Sequence, residues 1–433
     1  MKNIFFRLFF ILFALNAYNQ AANVSIVSNE EGMKLVVNGK DFMINGMNWD
    51  YFPIGTNYTY SLWQQPSSFI KKALDTEMSL LKEMGVNTIR VYTGMQPKWI
   101  TYIYKKYGIY TMLNHSFGRY GLLINGNWEP ATDYSNVAAQ KVLIEEISKM
   151  AAAYKNTPGL LLFLLGNENN YGLFWAGSET EDFPEDEDEK KKIGERRGRA
   201  MYKLMNTAAI KMKAIDPFHP VAICNGDVLY IDIIGEECKD VDIYGTNMYR
   251  GKSFGDAFKN VKKALNMPIM FTEFGADAFN TMDTKEDQKM QAFYVVKNWK
   301  EIYENAAGLG KSENAIGGFT FQFSDGWWKF GQTKNLEVHD NNASWVGGGY
   351  DLDLKKGSNN MNEEWFGICA KGLTNAEGFY VLYPRAAFYA LKEVHQLNPY
   401  LKEVNTNFIS KYFSKIKITD AFLKAKEKKI SLD

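Results

Sequence analysis

The chain has 433 residues, enough to bury a large core in one barrel domain or in two or three ordinary domains. Its 50 Lys and Arg residues balance 50 Asp and Glu residues, and a net charge of zero argues against a nucleic acid or an anionic surface as partner. Only 4 His are present, which disfavours a multi-histidine metal centre.

Residues 1–22 have the pattern of a secretory signal peptide. Lys2 and Arg7 precede an apolar run over residues 8–15, small residues follow, and cleavage is expected near Ala21 or Ala22. A short membrane anchor is disfavoured because the run is too short to span a bilayer comfortably. We therefore predict a secreted or periplasmic protein with no membrane attachment after cleavage.

A small β cap is predicted over residues 23–41, where apolar and polar residues alternate weakly around the hairpin turn Asn38-Gly39-Lys40. Short apolar strands then alternate with segments of helical periodicity. The predicted strands are 42–49, 86–92, 108–114, 160–165, 220–224, 241–249, 269–273 and 315–323. The predicted helices are 69–84, 96–107, 134–155, 198–215, 255–265, 285–303 and 383–396.

Polar residues collect at the C-terminal ends of these strands, which is the layout of a (β/α)8 TIM barrel with long loops on its C-terminal face. We expect this α/β fold to form one catalytic domain over residues 42–399, followed by a Lys-rich C-terminal tail over residues 400–433. The polar segment 334–361 follows the eighth strand and could form one wall of a cleft. Asp351 and Asp353 within it could hold a structural Ca²⁺, although two acids in a polar loop are far more often solvated.

Glutamates end two of the predicted strands. The apolar run 160–165 stops at Gly166 and is followed by Asn167 and Glu168, and the strand that begins at Ile269 ends at Glu273. A pair of carboxylates is the minimum equipment for acid/base or glycosyl-transfer chemistry. The alternative is that Glu168 is a solvated loop acid. The acidic run 179–192 is interpreted as a solvated loop or a helix start.

Three cysteines allow at most one disulfide bridge. Cys224–Cys238 is possible in an exported protein, and buried free thiols are at least as consistent with the sequence. Aromatic residues make up 15% of the chain, and loops rich in Trp and Tyr commonly stack on sugar rings, so the composition mildly favours a carbohydrate ligand.

An Asn-Glu pair after strand four with a Glu after strand seven resembles the retaining glycoside hydrolases that have (β/α)8 barrels. Within that clan, TEFGAD, GGFTFQFSDGWW and INGMNW are most similar to the catalytic domain of the β-galactosidase/β-glucuronidase family. The resemblance covers roughly residues 42–396. We expect the barrel to lack the β-sandwich domains that precede it in those enzymes.

The resemblance implies Glu168 as general acid/base and Glu273 as nucleophile, with carboxyl groups about 5–5.5 Å apart. By the same analogy Asn167 would bond the sugar 2-hydroxyl, Arg90 would lie beneath the nucleophile, and Tyr249 would donate to it. The further substrate-binding candidates are His115 after strand three and four tryptophans, namely Trp327 as the sugar platform with Trp328, Trp49 and Trp175.

The resemblance therefore implies a secreted retaining β-glycosidase that acts by double displacement and needs no metal or organic cofactor. Without the extra domains an open cleft for a β-linked oligo- or polysaccharide is expected, β-glucan before β-mannan, in a monomeric protein. Two alternatives stay open: a transglycosylase of the same mechanism, in which a sugar hydroxyl replaces water, and a non-catalytic carbohydrate-binding barrel. A metal-dependent barrel hydrolase is disfavoured by the few histidines.

Overall fold

The computed structural model describes residues 20–92, 94–173, 186–342 and 361–432. Eight parallel strands close into a barrel, and each pairs with the next before the last returns to the first. In chain order, strands β1 to β8 are Ile44–Asn48, Thr88–Val91, Tyr110–His115, Leu160–Leu165, Val221–Gly226, Ile243–Asn247, Ile269–Phe274 and Ala315–Thr320. The predicted TIM barrel is confirmed.

A helix follows each strand along the chain. These helices are Ser67–Glu83, Pro97–Tyr107, Val137–Tyr154, Glu187–Ile215, Ile231–Glu237, Ala257–Leu265, Gln288–Glu304 and Ala386–Val394. The helix Ile231–Glu237 was not predicted, because two turns are too short to show a periodic pattern. The last helix begins later than predicted, since Tyr380–Pro384 instead forms a strand paired with Cys369–Thr374.

The helix Glu187–Ile215 begins inside the acidic run. The side chain of Asp186 accepts a hydrogen bond from the backbone N–H of Glu189, and three acidic residues occupy the first turn. Negative charge at a helix N-terminus is stabilised by the helix dipole. From Asp186 onward the acidic run is thus a helix start, one of the interpretations that its sequence allowed, and residues 179–185 lie outside the described ranges.

Strand β4 shows why these apolar runs form the barrel wall. All six of its residues are buried. Leu162 and Leu164 point into the barrel, whereas Phe163 and Leu165 pack against the surrounding helices. Burying each such side chain contributes roughly 1.5–3 kcal/mol, so a strand covered on both faces has no use for polar residues before its C-terminal end.

The cap closes the N-terminal end of the barrel. Its antiparallel strands are Val24–Asn29, Gly32–Val37 and Lys40–Phe42. Leu35 and Val37 share a buried cluster with Ile44 and Met112 of the barrel interior. The predicted hairpin turn is confirmed, with Asn38 and Gly39 both at positive φ between paired residues 37 and 40. A deep site can therefore open only at the C-terminal face.

The tail folds as two helices, Thr406–Ser414 and Ile418–Leu432, which pack on the outside of the barrel against the helices Gln288–Glu304 and Ala386–Val394. The tail sequence has only weak helical periodicity, because small residues such as Ala421 and Ala425 form the buried face of the last helix. The two helices were therefore not predicted. None of the helices within the described ranges has the length and apolar character needed to cross a bilayer.

Loops on the C-terminal face contain the remaining short elements. They are the helical turns Leu62–Gln64, Asn169–Gly172 and Glu363–Trp365 and the strands Leu122–Ile124, Asn127–Glu129, Phe279–Asn280 and Lys285–Glu286. Most of the signal segment, Trp175, Asp351 and Asp353 lie outside the described residues.

Candidate active site

The backbone after β4 turns sharply to present Glu168. Gly166 has a φ of 84° and Glu168 a φ of 58°, both in the left-handed region. A Cβ on Gly166 would lie 2.8 Å from the side-chain oxygen of Asn169, so glycine is required by space as well as by conformation. A left-handed glutamate is uncommon and costs roughly 1–2 kcal/mol, and such positions cluster at functional sites.

Carboxamides anchor this turn on both sides. The side chain of Asn169 accepts the backbone N–H of Asn167 at 2.7 Å and donates to carbonyls of the loop after β3. Asn170 exchanges two hydrogen bonds with the backbone of Gly226 on β5, at 2.9 and 2.7 Å. The turn that carries Glu168 is thereby fixed to the loop after β3 on one side and to β5 on the other.

Glu273, at the end of β7, accepts hydrogen bonds from three donors. Arg90 Nη1 lies 2.8 Å and Tyr92 Oη 2.6 Å from Oε1, and Tyr249 Oη lies 3.0 Å from Oε2. The Arg90 side chain is fully buried. A buried guanidinium and two phenols stabilise the ionised carboxylate, which is the form that a nucleophile requires.

Arg90 and Asn247 connect the two glutamates. Arg90 is fixed by the side-chain oxygens of Asn114, at 3.0 and 2.7 Å, and of Asn167, at 2.8 Å. Asn247 Nδ2 donates to Glu168 at 3.0 Å and to Asn167 at 3.1 Å, while its oxygen lies 3.4 Å from Arg90 Nη1. One network therefore positions both carboxyl groups at the mouth of the barrel.

Burial raises the pKa of Glu168 to about 7, and the negative charge of Glu273 acts in the same direction. The hydrogen bond from Asn247 and the charges of Arg119 and Arg90 oppose that rise. Glu168 thus retains a proton close to neutral pH, whereas Glu273 is surrounded by donors. Two carboxyls with unequal environments can divide the roles of acid and nucleophile.

The structure places His115 and Trp49 away from this network. His115 Nε2 lies 3.4 Å from Glu146 on the helix after β3, outside the barrel wall. The Trp49 indole is 2% exposed and donates to Glu77 at 2.5 Å, so its ring belongs to the core. Because neighbouring strand residues point to opposite faces, we correct both assignments and give these residues no contact with substrate.

Aromatic rings line the wall after β8. Trp327 stacks on His339 at 4.7 Å, and Trp328 meets Phe52 edge-on at 5.5 Å. Phe321, which was not singled out from the sequence, packs perpendicular to Tyr249 at 6.3 Å, and Tyr249 in turn donates to Glu273. The sugar-platform role of Trp327 stays a prediction, as does that of Trp328.

The three cysteines are buried free thiols, so the Cys224–Cys238 bridge is not formed. Cys224 lies inside the barrel with its sulfur 3.3 Å from the Asn247 side-chain oxygen, and burial raises its pKa to about 11. Within the described ranges, no group of three or more His, Cys, Asp or Glu side chains is arranged to hold a metal ion.

Several residues of the network were missed in the sequence. The sequence does contain a signal for them, because each is a polar residue at an inward-facing position near the end of an apolar strand. Burying a polar side chain there costs free energy unless it is hydrogen-bonded. They are Asn48, which accepts from Tyr92 Oη at 3.1 Å, and Tyr92, Asn114 and Asn247.

Comparison with known families and structures gives a consistent assignment of the fold. The family profile described as "Glycosyl hydrolases family 2, TIM barrel domain" matches residues 29–325. No curated protein sequence matches this chain.

Solved structures with this fold include a GH2 β-galacturonidase from Eisenbergiella tayi bound to glycerol, with a TM-score of 0.54 and 15% identity over 88% of this chain. A β-D-glucuronidase from Dictyoglomus thermophilum has a TM-score of 0.52, 13% identity and 88% coverage. Bacteroides uniformis β-glucuronidase 2, covalently bound to cyclophellitol-6-carboxylate aziridine, has a TM-score of 0.52, 15% identity and 87% coverage. The chain spans 55% of the length of each of the first two and 37% of the third.

Proposed function

Because this chain belongs to glycosyl hydrolase family 2 through its TIM barrel domain, we propose that it is a retaining β-glycosidase. The observation that carries the proposal is the arrangement of Glu168 and Glu273 at the ends of β4 and β7. One keeps a proton near neutral pH, and the other accepts hydrogen bonds from a buried arginine and two tyrosines. Retaining hydrolysis needs that pair of carboxyl groups.

In the first step, a carboxylate oxygen of Glu273 attacks the anomeric carbon while Glu168 gives its proton to the departing glycosidic oxygen. The bond from carbon to the leaving oxygen breaks, and a covalent glycosyl-enzyme forms at Glu273. In the second step, the Glu168 carboxylate takes a proton from water, whose oxygen attacks the same carbon. The Glu273–carbon bond then breaks and both residues regain their starting states.

Asn167 is proposed to contact the sugar 2-hydroxyl. Its oxygen is already engaged by Arg90 and Asn247, and its amide donates to Tyr120 Oη at 2.8 Å. The side chain is therefore fixed in one orientation next to Glu168. A fixed polar group that bonds more strongly as charge develops on the sugar lowers the barrier to reaction.

The proposed substrate is a β-linked oligo- or polysaccharide, and the proposed location is the periplasm or the medium. The preference for β-glucan and then β-mannan remains part of the proposal. Because similar structures are a β-galacturonidase and a β-D-glucuronidase, galacturonides and glucuronides should be assayed beside the neutral sugars. A transglycosylase would use the same carboxyls with a sugar hydroxyl in place of water. A purely binding barrel would not need a protonated and an ionised glutamate joined by one network.

The test is Glu273→Ala assayed on aryl β-glycosides. The variant should lose turnover, and added azide should restore part of it by attacking from the face that Glu273 vacates, giving a glycosyl azide of inverted configuration. Glu30→Ala, in the exposed turn of the cap, is the control and should behave as wild type. If Glu273→Ala kept most of its activity, the nucleophile would be another residue.

A further inference from the structure

Asp50 stands out among the acidic residues around the candidate site because none of the described residues donates a hydrogen bond to its side chain. It follows β1 by two residues and remains partly exposed. The charges that act on it include those of Lys371 and Lys329, and its own charge acts on Glu77. Most buried or half-buried carboxylates in proteins are hydrogen-bonded. An unpaired one in a cleft is therefore available to a ligand.

The direction of the chain places Asp50 on the cleft side. Asn48 points into the barrel, where its amide donates to the carbonyl oxygens of Thr272 and Phe319 at 3.0 and 3.2 Å. Trp49 points the other way, into the core. Because side chains alternate along an extended chain, Asp50 lies on the same side as Asn48.

Lys329 relates Asp50 to the nucleophile. The charges of Asp50 and Glu273 both act on the Lys329 ammonium. That ammonium lies 5.2 Å from the ring centre of Phe321, which packs against Tyr249. Lys329 and Phe321 are thus linked to Tyr249, which donates to Glu273, and the Asp50 charge acts on the same ammonium. If the proposed function holds, the sugar under attack lies beside these residues.

Both neighbouring cations are already engaged. Lys329 Nζ lies 3.0 Å from Glu363, and the buried Lys371 donates to the backbone oxygen of Phe52 at 2.8 Å. Burial raises the pKa of Asp50, and the charges of these two lysines oppose that rise without a hydrogen bond to the carboxyl group. The free group on this wall is thus an acceptor, and a ligand has to supply the donors.

We propose that Asp50 is a specificity-determining residue that accepts hydrogen bonds from hydroxyl groups of the sugar attacked by Glu273, and that this sugar is a neutral pyranose. Each carboxylate oxygen can accept a hydrogen bond from a hydroxyl group, so two adjacent hydroxyls of a pyranose can bind to it together. A uronic acid would bring its own carboxylate toward Asp50 and Glu363, and like charges on this wall would disfavour it. The inference rests on the proposed function and names the substrate class.

The experiment compares wild type with Asp50→Asn on aryl β-glycosides of glucose, mannose, galactose and glucuronic acid, followed by deoxy analogues of the best neutral substrate. Wild type should cleave a neutral glycoside faster than the glucuronide. Asp50→Asn should lower kcat/KM on that substrate about 10- to 100-fold, the range for a lost hydrogen bond to a charged group. On the analogue that lacks the contacted hydroxyl, wild type and variant should have equal kcat/KM.

Glu337→Gln, an exposed residue beside Gly55, is the matched control and should leave all rates unchanged. A loss in Asp50→Asn that is the same on every deoxy analogue, or a change under twofold on the parent, overturns the role of Asp50. A faster rate on the glucuronide overturns the neutral-sugar assignment and leaves the retaining mechanism standing. Absence of turnover on every sugar, with no labelling of Glu273 by an aryl 2-deoxy-2-fluoro glycoside, overturns both the inference and the proposed function.

Discussion

At the scale of single residues, the division of labour between the glutamates follows from their surroundings. Glu168 has one hydrogen-bond donor in its carboxamide neighbour Asn247, and burial works against its charge. Glu273 has an arginine and two tyrosines directed at its two oxygens. These two environments suit the proposed roles, with Glu168 as the proton carrier and Glu273 as the attacking carboxylate.

The pH dependence of activity tests this division. Glu168 must be protonated to assist the leaving group, and its pKa of about 7 lies above the usual 4.5. Its protonated fraction falls as the pH rises through about 7, so kcat/KM on phenyl glycosides should fall on the alkaline side. Dinitrophenyl glycosides leave without protonation and should show a much weaker fall. Profiles of both substrates from pH 5 to 9 make the comparison.

The control for that profile is Glu168→Gln followed with the dinitrophenyl glycoside. This variant should retain far more activity on the activated substrate than on the phenyl one, since general acid catalysis is worth about 10²–10⁴-fold. An alkaline limb that persists unchanged in the variant would belong to a different group and contradict the assignment.

At the scale of elements, the site depends on how the turn after β4 is fastened to β5. Asn170 satisfies both the N–H and the C=O of Gly226. Gly226 has no room for a side chain, because a Cβ would lie 2.2 Å from the ring of Tyr171. The turn after β4 and the end of β5 thus fit against each other. The side chains of Asn169 and Asn170, which follow Glu168 in the sequence, hold the turn in place.

Asn170→Ala should weaken both the fold and the reaction. It removes the side-chain partner of the buried Gly226 N–H, while the Gly226 C=O retains a longer bond of 3.4 Å from the Asn225 amide. A buried group left without its partner costs about 1–3 kcal/mol of unfolding free energy. It also frees the turn that orients Glu168, so kcat should fall more than KM changes. Urea denaturation and steady-state kinetics measure the two effects. The exposed Asn341→Ala is the control, and a variant equal to it in both assays would contradict the positioning role.

The sequence predicted the order of the barrel strands and the positions of Glu168 and Glu273 near two strand ends. It did so because buried parallel strands must be apolar until they end. It was harder to predict whether the residue at the C-terminal end of each strand points into the barrel or outward. His115 and Trp49 each follow an inward-facing asparagine and therefore face outward, a consequence of strand alternation that the composition of the strand end does not show. Asn247 and Tyr92 were missed for the converse reason, since single polar residues in apolar strands resemble ordinary core positions.

At the scale of the whole molecule, the cap closes the N-terminal end of the barrel and the candidate site lies at the C-terminal end. The cap strands fill the N-terminal opening with apolar side chains such as Leu35, while the polar network lies at the opposite end. The family match covers the cap from residue 29 and the barrel to residue 325. The hairpin 369–384 and the two tail helices lie beyond that match, and the last tail helix packs on both the hairpin strand Tyr380–Pro384 and the helix Ala386–Val394.

The most direct test of the retaining mechanism is to trap the covalent intermediate. An aryl 2-deoxy-2-fluoro β-glycoside of the preferred sugar slows both steps, and its good leaving group lets the glycosyl-enzyme accumulate. Mass spectrometry of the intact protein and of its peptides should show one added sugar, attached at Glu273, and Glu273→Gln should remain unlabelled. Turnover of aryl β-glycosides with no adduct, or with an adduct on another residue, would contradict the account.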